Sequence, residues 1–378
     1  MKKFIKFILS SLKILIISFF FVLCLDFLIG ERVLNFIDPY LKETEFYDKR
    51  SRISHPVFHH TFRNNINFKS AGFNQSLRIC ANEHGFKSSC EYKKKNTFEF
   101  GLIGDSFTEG IGLNYEDTFS GVFEKKSNFD VANLGVSSYS SKIYLSKLNY
   151  YLNKGVRFNH IIIFLDISDY YDDAYYNLDL ESLHIIHTKR EKFKIKLRKN
   201  FPFTNYYFYV IKKLRNSSQD NKEISIKEKI LSKDQVNIKK LLNSESVKKK
   251  TSWLYANKND YKINNKDFLI IHSEMKSYLN QINELLKKND IKLSLAIYPW
   301  PHNLQISKNT SFYRNEWREF CVSKCEFFFD FFEEFEKKLK NDSFNETYKK
   351  YYFSGDVHFN KEGNKLIAEK LLKKILNK

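Results

Sequence analysis

The sequence predicts an α/β fold, a parallel sheet with helices on both faces, preceded by one apolar N-terminal transmembrane helix. Three observations predict it: five short, near-continuous apolar runs, amphipathic stretches between or after them, and a basic leader ahead of an uncharged N-terminal run. Runs that are apolar throughout suit strands covered on both faces, as in a parallel sheet. At 378 residues the chain is long enough for a large core, and 42% hydrophobic content excludes global disorder.

The N-terminus reads MKKFIKFILSSLKILIISFFFVLCLDFLIGERV. Lys2, Lys3, Lys6 and Lys13 precede an uncharged run at 14–25, and residues 27–29 extend it past Asp26. The run falls short of the ~20 residues of an ideal span, but Lys13 can snorkel and Asp26 is expected near the far interface. Basic residues ahead of it keep the N-terminus cytoplasmic and export the chain beyond residue 30. No small-residue cleavage site comes after it, and Leu23 rather than a small residue precedes Cys24, so an uncleaved signal anchor is expected over a cleaved signal peptide or a lipoprotein. The expected location is the inner (cytoplasmic) membrane, single-pass, with the chain facing the periplasm or cell exterior.

These patterns divide the chain into three regions: an anchor at 1–30, an N-terminal extension at 31–96, and the α/β domain at 97–378 with a basic insertion at 180–266. In the extension, Cys80 and Cys90 flank Gly85 and are expected to close a hairpin. Cys321 and Cys325 form a second local pair. Paired cysteines suit disulfides in an oxidising compartment, and the lack of C-x-x-C spacing or a neighbouring His cluster argues against zinc.

Strands are expected at 98–103, 130–134, 160–165, 293–298 and 326–329, and helices at 118–126, 141–152, 268–288 and 361–376. The insertion is rich in Lys, Asn and Ser around an aromatic island, FPFTNYYFYVIKKL. A charged helical cap is its simplest reading, and its basic-aromatic mixture also suits a membrane surface or an anionic glycan. The formal charge of +19 is spread along the chain as Lys, without an Arg-rich stripe or a reader motif, so no nucleic-acid partner is expected.

Four segments carry chemistry, each at an expected strand end or before the last helix. Gly104-Asp105-Ser106-Phe107 presents a serine where a strand enters a helix, with its N–H and hydroxyl on one side. Gly135, in Asn133-Leu134-Gly135-Val136-Ser137, permits close backbone approach. Asp166, Ser168 and Asp169 crowd the end of the third strand, and Asp356 and His358 supply a base with an orienting carboxylate.

In order and spacing these segments resemble the SGNH hydrolases, or GDSL family, over roughly 97–378 without the insertion. The resemblance implies a flavodoxin-like, three-layer α/β/α sandwich and acyl-ester chemistry. Ser106 is then the nucleophile, His358 the general base and then acid, and Asp356 its orienting group, with the N–H groups of Ser106 and Gly135 stabilising the oxyanion. Neither metal nor organic cofactor is implied. The chain departs from the family where Ser168 occupies the slot of the usual oxyanion-hole Asn, and where Asp356 lies two rather than three residues before His358. That shorter form resembles membrane-anchored, envelope-associated members.

Asp105 reads as a cap of the turn. His59, His60, His184 and His187 read as surface or packing residues, and His302, after the fourth strand, as a lining of the substrate pocket. The implied activity is that of an esterase or acyltransferase acting on ester-linked acyl groups of an envelope glycan or lipid. The alternative is a catalytically degenerate SGNH-fold protein that binds glycan or serves as a scaffold.

Overall fold

The computed structural model describes residues 2–37, 52–72, 75–208, 211, 238, 241–242, 244–305 and 310–377. Of the expected insertion, 209–210, 212–237, 239–240 and 243 lie outside the described residues. Two compact units result: Met1–Arg50 with His187–Lys229, and Ser51–Ile186 with Ile230–Lys378.

In the first unit, helix α1 (Lys2–Ile37) contains one stretch, Ser10–Val33, long and apolar enough to cross a membrane.

The second unit begins with two hairpins, β1 (Arg52–His55) with β2 (His59–Phe62) and β3 (Asn67–Gly72) with β4 (Gln75–Cys80). Gly85, with φ +74°, turns the next segment, and Cys80 and Cys90, their Cα atoms 5.2 Å apart, are disulfide-bonded. Strand β5 (Thr97–Gly104) leads into the short helix α2 (Ser106–Glu109) and then α3 (Phe119–Ser127). Next come β6 (Val131–Asn133), α4 (Ser141–Asn153), β7 (Arg157–Leu165) and α5 (Asp169–Asp173). Helix α6 (Lys189–Asn200) belongs to the first unit, and α7 (Glu245–Thr251) to the second.

A two-residue hairpin joins β8 (Lys262–Ile263) to β9 (Lys266–Asp267), with Asn264 and Asn265 at positive φ, as a primed turn requires. Helix α8 (Phe268–Lys287), β10 (Lys292–Ile297), α9 (Pro301–Gln305), α10 (Ser311–Cys321) and β11 (Phe327–Asp330) come next. Helices α11 (Phe331–Leu339), α12 (Phe344–Tyr351) and α13 (Lys361–Leu376) close the chain. Cys321 and Cys325, 4.7 Å apart between Cα atoms, are also disulfide-bonded.

The central sheet is parallel, in the order β6-β5-β7-β10-β11, which is the flavodoxin-like order. Its middle strands are apolar on both faces because both are covered: Ile161, Ile162, Ile163 and Phe164 are all fully buried. Helices α3 and α13 pack together in one layer, and α4 and α8 in the other. The chain leaves β5 for β6 in one direction and returns past it to β7, so the carboxyl ends of β5 and β7 flank a topological switch point, where such sheets place their ligands.

The Cys80–Cys90 bridge holds the turn from which Lys87 reaches under α2, its Nζ donating to Gly110 O at 2.8 Å and Leu113 O at 2.7 Å. Replacing both cysteines by serine releases a loop with a sequence separation of 10. The expected loss is about 2–3 kcal/mol of unfolding free energy, read as a lowered denaturant midpoint.

Candidate active site

β5 runs apolar into Gly104, and the chain turns there into α2. A Cβ at Gly104 would collide with the Thr108 side chain and lie 2.9 Å from Phe164 O, so the turn requires glycine. Asp105 caps α2: its Oδ1 accepts from the Phe107 N–H at 2.9 Å and the Tyr298 hydroxyl at 3.0 Å, and its Oδ2 from Ser106 Oγ at 3.0 Å.

Asp356 and His358 arrive on the loop between α12 and α13. That loop is pinned by Phe353 N–H donating to His358 O at 3.0 Å and by the Tyr348 hydroxyl, which donates to Phe353 O at 2.8 Å. The His358 ring packs against Phe107, with ring centres 4.8 Å apart. Its Nε2 lies 2.9 Å from Ser106 Oγ, and its Nδ1 2.5 Å from Asp356 Oδ1, which also accepts the His358 N–H at 2.9 Å. The fold thus brings Ser106, His358 and Asp356 into one hydrogen-bonded row.

Electrostatics favour a charged His358. Burial opposes the imidazolium, but the Asp356 hydrogen bond and charge, with Asp105 and Asp166 behind them, raise its pKa above the ordinary 6.5. Burial likewise opposes ionisation of Asp356, yet hydrogen bonds from the His358 ring and N–H, with the imidazolium charge, hold its pKa below the usual 3.8. Burial and the Asp166 charge push Asp105 up to about 7. The same causes, with Asp105 and Asp173, push Asp169 well above the carboxylate range.

The expected oxyanion donors are placed unequally. The Ser106 N–H, first in α2, has no partner among the described residues. Gly135 fits tightly against α2, where a Cβ would lie 2.6 Å from Glu109 N, but its N–H donates to Asn133 Oδ1 at 3.0 Å within its own turn. Ser168 is buried, with its N–H donating to Asp166 Oδ1 at 2.7 Å, while its hydroxyl makes no hydrogen bond among the described residues.

Three contributors escaped the sequence reading. Ser138 holds a left-handed φ of +64°, rare for a non-glycine residue, three residues beyond Gly135. Trp300 donates from Nε1 to Asp166 Oδ2 at 2.7 Å, and Tyr298 holds Asp105. The YPWP segment was a signal for the last two; the doubled Ser137-Ser138 gave none. The N-terminal extension also reaches this loop, His60 Nε2 lying 2.8 Å from Ser137 O and the Tyr139 hydroxyl donating to His60 O at 2.5 Å.

No family model and no curated protein matches the chain. Among solved structures it is similar to a protein assigned to the G-D-S-L lipolytic family from Desulfitobacterium hafniense DCB-2, at 15% identity and TM-score 0.37 over 73% of this chain and 98% of that one. It is also similar to the psychrotrophic esterase EstA from Pseudoalteromonas sp., at 12% identity and TM-score 0.36 over 75% and 100% of the two chains. A variant of Axe2, an acetyl-xylooligosaccharide esterase from Geobacillus Stearmophilus, is similar at 11% identity and TM-score 0.39 over 75% and 96%.

Asp356→Asn removes the charge that raises His358, so the imidazole proton resonance is expected to titrate at lower pH than in the parent protein, as followed by NMR. Because the folded pKa of His358 lies above 6.5, its contribution to stability is full below that value and is lost as pH rises through the folded pKa. The variant is expected to lose this pH dependence of the unfolding midpoint.

Proposed function

We propose that the chain is a membrane-anchored serine esterase or O-acyltransferase acting on ester-linked acyl groups of an envelope glycan or lipid. The row Ser106 Oγ, His358 Nε2, His358 Nδ1, Asp356 Oδ1, with contacts of 2.9 and 2.5 Å, carries this reading. In it, neutral His358 takes the Ser106 proton at Nε2 as Oγ bonds to the ester carbonyl carbon. The negative charge formed on the carbonyl oxygen is met by the Ser106 N–H, by the Ser168 hydroxyl, and by the Gly135 N–H once it leaves Asn133. Collapse breaks the ester C–O bond, and His358 returns its proton to the departing alkoxide. Water or a sugar hydroxyl then gives a proton to Nε2 as its oxygen bonds to the acyl carbon, and collapse breaks the bond to Ser106 Oγ, which takes that proton back from Nε2.

The setting is argued from α1 and the two disulfides, which suit a chain anchored by its N-terminal helix and exposed to an oxidising compartment. A catalytically degenerate scaffold or glycan-binding protein is the second reading. The observation favouring it is the Gly135 N–H committed to Asn133.

A fluorophosphonate probe is expected to label the full chain and to fail on Ser106→Ala; an unlabelled parent protein selects the scaffold. Ser106→Ala and His358→Ala are expected to lower turnover by ~10³-fold or more. Ser168→Ala is expected to cost ~10²-fold, as loss of one oxyanion donor does. Since the base must be neutral, kcat/KM is expected to rise with pH through an apparent pKa above 6.5. Turnover that depends on an added glycan acceptor selects the transferase, and rapid hydrolysis without such gain selects the esterase.

A further inference from the structure

A carboxylate within an apolar span and a helix beginning inside a bilayer are each costly alone, and in the first unit they satisfy one another. Asp26 lies within the span Ser10–Val33 and is 4% exposed, while its neighbours Leu25, Phe27 and Leu28 are 40%, 58% and 72% exposed. Its Oδ1 accepts the N–H of Phe203 at 2.9 Å and its Oδ2 that of Thr204 at 2.7 Å. These belong to the first turn of a helical segment at 202–208, where N–H groups have no partner in their own helix. Pro202, at its first position, has no N–H to satisfy.

Gly30, one turn beyond Asp26, makes room for this junction. A Cβ there would collide with the Asp26 carboxylate and lie 3.4 Å from Pro202 Cγ. The Phe27 and Phe201 rings add an aromatic contact, with centres 6.2 Å apart.

The depth of the junction is set by helix geometry. The 24-residue span is ~36 Å long against ~30 Å of hydrocarbon, and Asp26 lies ~10 Å below the Val33 end. That puts it ~7 Å inside the apolar boundary, within the ~5–10 Å depth of interfacial helices. Tyr207 and Phe208 are 55% and 62% exposed, the first a residue type that collects at this level and the second one found on the apolar face of interfacial helices. Just before them α6 reads KREKFKIKLRKN, seven Lys or Arg against one Glu, with Lys192, Lys194 and Lys196 exposed.

We propose that residues 189–208 form a membrane-surface element: Asp26 and Gly30 hold 201–208 at interfacial depth against α1, and basic helix α6 binds the phosphates of anionic lipids. This rests on α1 anchoring the chain.

The test uses the full chain in phosphatidylcholine bilayers with and without ~30% phosphatidylglycerol. The indole introduced by Phe208→Trp is expected to be quenched by brominated lipid, since the native Trp253, Trp300 and Trp317 are buried. Gly30→Leu is expected to abolish the quenching while the chain still resists extraction by alkaline carbonate. Energy transfer from the same indole to dansyl-phosphatidylglycerol is expected to exceed that to dansyl-phosphatidylcholine about threefold, and Lys192→Glu with Lys194→Glu and Lys196→Glu to erase the difference. Extraction of the parent chain by carbonate removes the anchor itself. Retention without quenching overturns the seating of 201–208 and leaves the anchor standing. Equal transfer to both lipids, or loss of transfer on adding soluble polygalacturonate, overturns the lipid assignment of α6, the latter in favour of an anionic glycan.

Discussion

The contact between Ser106 and His358 joins residues 252 positions apart, and the packing of α3 against α13 makes it possible. Ser106 is fixed by the end of β5, so His358 has to be carried to it by the chain's last helix. Asn364, buried in that helix, accepts the Phe119 N–H at the start of α3 at 2.9 Å and donates to Phe359 O at 3.1 Å, beside His358. Lys361 adds an ion pair to Asp117 at 2.6 Å. One layer of the sandwich therefore positions His358, while the sheet positions Ser106.

Beneath this contact lies a run of buried carboxylates that would be untenable if all were charged and unpaired. Tyr144 donates to Asp169 Oδ2 at 2.9 Å, and Ser140 to Asp173 Oδ1 at 2.5 Å. Asp173 also faces Lys142, and Lys250 of α7 lies 3.6 Å from Asp172. Burial still pushes Asp172 up to about 7. Burial opposes the imidazolium of the part-buried His358, but Asp356, with smaller contributions from Asp105 and Asp166, raises its pKa above the ordinary value. The described end of the insertion thus serves electrostatics as well as cover, since α7 brings a cation to this cluster and Trp253 donates to Ile167 O at 3.2 Å.

The central sheet was legible because its strands are buried on both faces and their apolar runs have sharp ends. β7 begins at Arg157 rather than 160 because its first residues alternate, Phe158 buried between exposed Arg157 and Asn159, and so do not read as a continuous run. Helices α10 to α12 and the hairpins β1 to β4 were not picked out; the hairpin segments are short and held by contacts with distant residues, such as His60 with Ser137. Ser106, Asp356 and His358 could be singled out because each borders a strand end or a helix start. What composition could not show was hydrogen-bond commitment: that Asn133 takes the Gly135 N–H, or that Asp26 takes N–H groups 177 and 178 positions away.

The same limit explains why Asp105 is more than a cap. A serine hydroxyl has one proton, and Ser106 has two acceptors for it, Asp105 Oδ2 at 3.0 Å and His358 Nε2 at 2.9 Å. Ionised Asp105 competes with His358 for that proton, yet its charge also raises the basicity of His358. Protonated Asp105 leaves His358 as the better acceptor but weakens it as a base. Asp105 is pushed up to about 7 and His358 is raised above its ordinary 6.5, and each group's charge shifts the other. The hydrogen bonding of Ser106 is then a property of the whole carboxylate cluster, so a substitution at Asp166 or Asp169 acts on Ser106 without touching it.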